Sequence, residues 1–252
     1  EQKLSTRVEC LDAKLSSEIR IYLKKFQSDE NYCWCLEQIY KVKKNYLSAY
    51  QSLKKGNFEE AWYMLERTKI ELSFLCDVFD IGNEVHDSYS MVYIKNVVPR
   101  FQKLYPYKIF VSREILIQKE ICSICGKEMK LRGGCPHQTG KLYMGKMCSR
   151  IVKKSKFLGA ALVTDPFDKY GVLHVKGQEY DYSLIDFIAS NLHSPYDLWY
   201  YEMYKTKIPE YAVLGRNDRC LCGSGKKFKH CCMDTDNIYS KHYRFHIKHL
   251  DE

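Results

Sequence analysis

Apolar residues recur at helical spacing through the first third of the chain. Leu15, Ile19, Tyr22, Leu23 and Phe26 form one stripe. Leu36, Ile39, Tyr40, Leu47, Tyr50 and Leu53 form a second, and Phe58, Ala61, Trp62, Leu65, Leu72 and Leu75 a third. Repeats at i, i+3, i+4 and i+7 predict amphipathic helices that bury one face each. The second stripe ends at Lys54-Lys55-Gly56, basic residues and then a C-cap glycine. Asn57 with Glu60 predicts a capping box for the next helix. The second and third helices therefore make an antiparallel hairpin, and the stripes are core. The character changes around Pro99 and Pro106. Tyr107 to Gln118 is β-branched and aromatic and predicts one or two strands, with further strands at Ala160–Thr164 and Tyr170–Val175. Ser183-x-x-Asp186 predicts a short helix through Ala189. Ser194-Pro195-x-Asp197 predicts another helix, running to about Lys205. Lys207 to Leu214 reads as a linker, and the chain after Cys232 as a polar tail with His242, His246 and His249.

The fold class that follows is α+β: an N-terminal helical bundle over 1–105 and a small zinc-stiffened, β-containing middle domain over 106–192. A helix and linker over 193–214 lead to a metal-binding knuckle over 215–232, with a basic tail over 233–252. The 252 residues allow one or two domains, and 45% hydrophobic content suffices for a buried core. No run of about 18 apolar residues and no basic-then-apolar leader is present, so a membrane-spanning helix and a secretory signal are not expected.

The net charge of +9 is unevenly spread. From Cys122 to Lys156 nine basic residues stand against the single acid Glu128. That excess favours an acidic partner: nucleic acid, ribosomal RNA or an acidic protein surface. The twelve cysteines fall largely into two clusters of metal-ligand type, which indicates a reducing, cytoplasmic setting and not a disulfide framework. Cys10, Cys33, Cys35 and Cys76 lie in helical sequence and read as small buried residues or free thiols.

Gly215 to Cys232 reads GRNDRCLCGSGKKFKHCC. Cys220 and Cys222 form a C-x-C pair, and the doublet Cys231-Cys232 follows across a Gly-Ser-Gly turn and lysines. So short a segment cannot build a hydrophobic core. It can fold around one metal ion held by four thiolates, because metal binding supplies the missing folding free energy. The stretch resembles the SEC-C motif, the metal-binding tail of the bacterial secretion ATPase SecA, found also at the ends of many otherwise unrelated bacterial proteins. The resemblance implies that Cys220, Cys222, Cys231 and Cys232 are the ligands. It implies zinc, with iron as the alternative in this tail, and a partner such as a SecB-like chaperone or a ribosome. Arg219 and Leu221 stand where that pattern usually has proline.

A second signature opens with Cys122-x-x-Cys125, followed by Cys135-Pro136-His137 and by Cys148. The C-x-x-C pair before Gly126 predicts a knuckle with backbone amides aimed at the sulfurs. Five donors compete for four places: Cys122, Cys125, Cys135, His137 and Cys148. Softness favours four thiols, with His137 replacing Cys135 or supporting the ligands from outside. CPHQTGKLYMGKMC resembles zinc-bearing segments of phage-associated bacterial proteins, in which a stretch like ALVTDPFDK also follows. The resemblance implies a structural zinc. A catalytic zinc keeps an open position and a nearby base, and this set is thiol-rich and closed.

No phosphate-cradling glycine loop, G-x-S-x-G elbow or convincing catalytic pair appears. Glu59-Glu60 reads as solvated helix surface, and His86-Asp87-Ser88 are too close in sequence to form a triad. These observations predict a two-zinc bacterial adaptor that recruits a chaperone, a ribosome or a subunit of a phage-defence or toxin–antitoxin complex. A nucleic-acid-binding zinc protein acting through the basic middle is the alternative, and an enzyme or toxin component with an unrecognised site the third class.

Overall fold

The computed structural model describes residues 21, 29–83, 85–130, 134–174, 177 and 179–250. The first predicted stripe, Leu15 to Phe26, and Cys10 lie outside the described residues. The chain divides into two compact units, Glu1–Tyr196 and Asp197–Glu252.

In the first unit, α1 spans Glu30–Lys54 and α2 Phe58–Cys76. Asp29 starts α1 by accepting bonds from the backbone N–H groups of Asn31 and Tyr32, both at 3.0 Å. Gly56 closes it at φ +74°, a left-handed conformation that a side chain resists. The second predicted stripe is wholly buried, and of the third only Phe58 keeps partial exposure. The capping box does not form. Asn57 holds the N-cap position but makes no side-chain cap bond. Glu60 instead accepts from Ser52 Oγ at 3.1 Å, because the three-residue connection brings the end of α1 within its reach.

Helix α3, Met91–Gln102, was not delimited by the sequence pattern. Its start is held by Asp87, whose carboxylate accepts from Val92 N at 3.1 Å and Tyr93 N at 2.9 Å. That capping bond is what His86-Asp87-Ser88 contributes. The bundle also buries a carboxylate that is well bonded: Glu66 accepts from Gln102 Nε2 at 2.8 Å and from Lys169 N at 3.1 Å.

A long two-stranded antiparallel ribbon follows, with β1 spanning Phe110–Cys122 and β4 Arg150–Val163. Between them a small hairpin pairs β2, Leu142–Tyr143, with β3, Lys146–Met147. The predicted strand at Ala160–Thr164 is the end of β4. Of Tyr170–Val175, Val172 makes a single antiparallel bridge to Phe110. The ribbon's base is joined to the helices through Trp62, which packs on Tyr105, Tyr107 and Phe110 and donates to Lys169 O at 2.8 Å. Helix α4, Ser183–Asn191, completes this unit.

The second unit corrects two expectations. The helix expected from Ser194 to Lys205 is strand β5, Leu198–Lys207, and the polar tail contains strand β6, Tyr239–Lys248. The two pair antiparallel in continuous register from Leu198↔Lys248 to Lys207↔Tyr239. Tryptophan, tyrosine and threonine in LWYYEMYKTK favour the pleated state, and this outweighs the helix-start signal. Asp197 does not cap a helix. It is buried and accepts from His249 Nδ1 at 2.9 Å and from Leu250 N at 3.2 Å. Part of the expected linker is a short helix α5, Pro209–Ala212. No helix among the described residues is long and apolar enough to cross a membrane.

Candidate metal centres

The tail cluster is assembled by a tight double turn. Cys220 N donates to Lys226 O and Phe228 N to Asp218 O, each at 2.8 Å, while the Asp218 carboxylate accepts from Gly215 N at 2.7 Å. A 3-10 turn over Phe228–His230 then presents Cys231 and Cys232. The four sulfurs lie within 4.8 Å of one another, with Cys222–Cys231 at 3.3 Å and Cys231–Cys232 at 3.8 Å. A tetrahedron of sulfurs about 2.3 Å from a metal has edges of about 3.8 Å, so the set needs little adjustment to close on an ion. Cys220 and Cys232 are buried with Phe228 and Ile238, against which Tyr211, Leu214 and Met233 pack.

The acid–base state of this set shows why a cation suits it. Hydrogen bonds from the hydroxyl and backbone N–H of Ser224 bring the Cys222 thiol down to about 6. Its neighbour Cys232, which donates towards Cys220 and is buried, is pushed up to about 12. Thiolates this close cannot all ionise alone, and a divalent ion removes the mutual repulsion. Ser224, with its Oγ 3.1 Å from Cys231 Sγ, adjoins the thiol set, a contact that its place in the Gly-Ser-Gly turn does not reveal in sequence.

The middle cluster sits at the end of the ribbon. Cys122 is the last residue of β1 and pairs with Arg150, the first of β4. Gly126, at φ +71°, turns the knuckle back so that its N–H donates to Cys122 O at 2.9 Å. Ile124 N lies 3.4 Å from Cys122 Sγ, the amide-to-sulfur contact expected of a C-x-x-C knuckle. Cys122, Cys125, Cys135 and His137 bring their donors within 4.8 Å of one another. Cys122 Sγ is also 3.7 Å from Cys148 Sγ and 3.7 Å from His137 Nδ1. Four of the five predicted donors thus form one mutual set, and Cys148 adjoins it through Cys122. Burial alone raises the Cys122 thiol, but the N–H groups of Cys125 and Ile124 outweigh it and bring it down to about 6. Burial and the neighbouring Cys122 push Cys148 up to about 11. The donor set is soft and crowded, as in the tail, and fits a cation of the same kind.

Among the other cysteines, Cys35 is buried, Cys33 partly buried and Cys76 exposed.

The SEC-C motif model matches residues 216–234. A protein translocase subunit SecA of Ehrlichia canis is 56% identical over 34 residues, which are 12% of this chain and 4% of that protein. The SecA of Verminephrobacter eiseniae is 57% identical over 30 residues, 12% of this chain and 3% of that protein. A UPF0225 protein of Geobacter sulfurreducens is 55% identical over 40 residues, 14% of this chain and 24% of its own length. The chain thus spans a small part of each relative. No solved structure matches it. The shared stretch coincides with the tail cluster: residues 216–234 are a SEC-C motif, and Cys220, Cys222, Cys231 and Cys232 are its four thiols.

Proposed function

We propose that this protein is a cytoplasmic zinc-bearing adaptor that recruits a protein partner through its SEC-C module. Zinc in the tail is held by Cys220, Cys222, Cys231 and Cys232. A second zinc is held by Cys122 and Cys125 with two of Cys135, His137 and Cys148, and braces the end of the ribbon. Neither site is catalytic in this reading, since every place is filled by a protein donor.

The observation that carries the reading is how the tail module presents itself. Cys220, Cys232 and Phe228 face inward, whereas Cys222 and Leu221 are exposed at the rim of the metal loop, among Arg219, Lys226, Lys227 and Lys229. A metal-set loop with an apolar tip and a basic surround suits an acidic, partly apolar protein surface. The relatives named SecA make a SecB-type chaperone or a ribosome the first partners to try. Leu221 and Arg219 alter the rim where that pattern usually has proline, so the partner's contact face is expected to differ in detail.

The test is binding of purified SecB-type chaperone and of purified ribosomes to the intact protein and to Cys222→Ser. The reading expects one of the two to bind in the micromolar range or tighter, with at least a tenfold loss in the variant. Equal binding by both proteins, or binding of neither probe, contradicts it.

A further inference from the structure

The ribbon β1–β4 carries a like-charge contact that the fold does not need. Lys119 and Lys154 are directly opposite each other in the register, so their side chains leave the same face. Like charges at that position destabilise an antiparallel pair. Two β-bulges flank the contact. Gln118 is the extra residue on one side and Lys153 on the other, and Lys156 lies opposite Leu116 two pairs away. None of Lys119, Lys153, Lys154 and Lys156 has an ion pair among the described residues. The two acids of the ribbon do not balance them: Glu120 is engaged by Arg150 at 3.2 Å, and Glu114 sits farther along, opposite Gly159.

The ribbon is also free where it matters. Every residue of β4 from Arg150 to Leu158 is exposed, and both faces of the central ribbon meet solvent. A two-stranded ribbon in water is marginal by itself. Here it is anchored at one end by Trp62 packed against Phe110, and pinned at the other by Cys122 and Cys148. A third irregularity, between Glu114 and Ile115, adds to the twist that bulges impose.

The geometry points to this ribbon as a docking element for double-stranded DNA, an activity independent of the SEC-C reading. Two strands about 4.8 Å apart make, with side chains, a body about 10 Å wide. The major groove of B-form DNA is about 12 Å wide and admits a two-stranded β-ribbon. The strong twist lets the ribbon follow the groove while the lysines reach phosphates on its walls. Leu116, opposite Lys156 and 48% exposed, leaves the same face as Lys119 and Lys154 and supplies the apolar contact that thymine methyl groups offer in that groove. A-form RNA closes its major groove to side chains, so the fit is to DNA. A second copy of the ribbon is disfavoured as the occupant because its lysines would meet their own kind.

Fluorescence anisotropy on the full chain tests this, with a 20-base-pair DNA duplex, the matching RNA duplex, the single strand and polyglutamate as probes. The duplex DNA is expected to bind at 50 mM salt, with log K falling linearly in log salt at a slope of about −3 to −4 for four lysine–phosphate contacts. Lys153→Glu/Lys154→Glu/Lys156→Glu is expected to weaken binding at least tenfold and flatten the slope, with metal content unchanged. The milder glutamine triple variant, which cannot distort the ribbon by charge reversal, is expected to lose affinity in the same direction. Unchanged binding by both variants, or no duplex binding at 50 mM salt, overturns the proposal. Equally tight binding of RNA duplex or single strand removes the groove argument, and tighter binding of polyglutamate assigns the ribbon to an acidic protein instead.

Discussion

Cys122 Sγ lies 3.7 Å from Cys148 Sγ, and the two residues sit at opposite corners of one ribbon end, Cys122 closing β1 and Cys148 two residues before β4. The contact makes the metal centre and the ribbon one structural unit. An ion held by these donors would tie the two strands at the place where their 27-residue connection leaves them. Cys148→Ala is therefore expected to loosen the ribbon as well as the centre. Hydrogen exchange should show faster amide exchange at Ile121 and Ile151 than in the parent, while α1 and α2 exchange unchanged. Uniform exchange across the ribbon in both proteins would separate the site from the strands.

The tail module packs inside the second unit, on Phe228, Ile238, Tyr211 and Leu214. Cys222→Ser removes one ligand and is expected to cost the unit its metal and its order, since binding free energy is folding free energy in a segment of this size. The effect should be confined to Asp197–Glu252. Two thermal transitions, with the lower one lost and the upper one kept within about 2 °C, are the expected calorimetric result. Loss of both transitions together would mean that the units fold as one.

The thiols make an independent prediction. Cys222 and Cys76 are both exposed. In the metal-loaded protein Cys222 is expected to resist iodoacetamide because its sulfur is engaged as a ligand, whereas Cys76 should react, because the free thiolate is the nucleophile. Burial pushes the Cys76 thiol above the ordinary value of 9.0, so its rate should still be climbing at pH 9. Stripping the metal should open Cys222 to alkylation and leave Cys76 unchanged. Equal reactivity of Cys222 with and without metal would contradict its role as a ligand.

Trp62 joins the helices to the base of the ribbon, 2% exposed and bonded to Lys169 O at 2.8 Å. Trp62→Ala removes a large buried ring and leaves the Lys169 carbonyl without its donor, a loss of about 3–5 kcal/mol. Trp62→Phe keeps most of the packing and should cost less. Chemical denaturation of the first unit measures both. A loss below about 1 kcal/mol for Trp62→Ala would show that the joint is not where its stability lies.

How far the chain could be read depended on which signal was local. The hairpin α1–α2 was legible because Leu36 to Leu53 and Ala61 to Leu75 repeat at the helical period and Gly56 marks the stop. The tail thiols were legible because their whole site lies within eighteen residues of chain. Strand β6 was missed although its signal was present: Tyr243, Phe245 and Ile247 alternate with His242, Arg244 and His246, a period of two hidden by the number of charges. Strand β5 was missed because Ser194-Pro195-x-Asp197 carries a helix-start pattern, while the buried Asp197 is spent on His249 and Leu250 near the far end of the chain. No local pattern shows that contact. The opposition of Lys119 and Lys154 is likewise invisible in sequence, since it depends on two bulges that set the register.

Elemental analysis of protein purified without added metal tests the central claim most directly. Two thiol-rich clusters, each with donors within 4.8 Å, predict two ions per chain in the untreated protein. Cys222→Ser and Cys122→Ser should each remove one ion and leave the other, and zinc is the expected element at both. One ion or none in the folded parent protein, or a single substitution that empties both sites, would contradict the account.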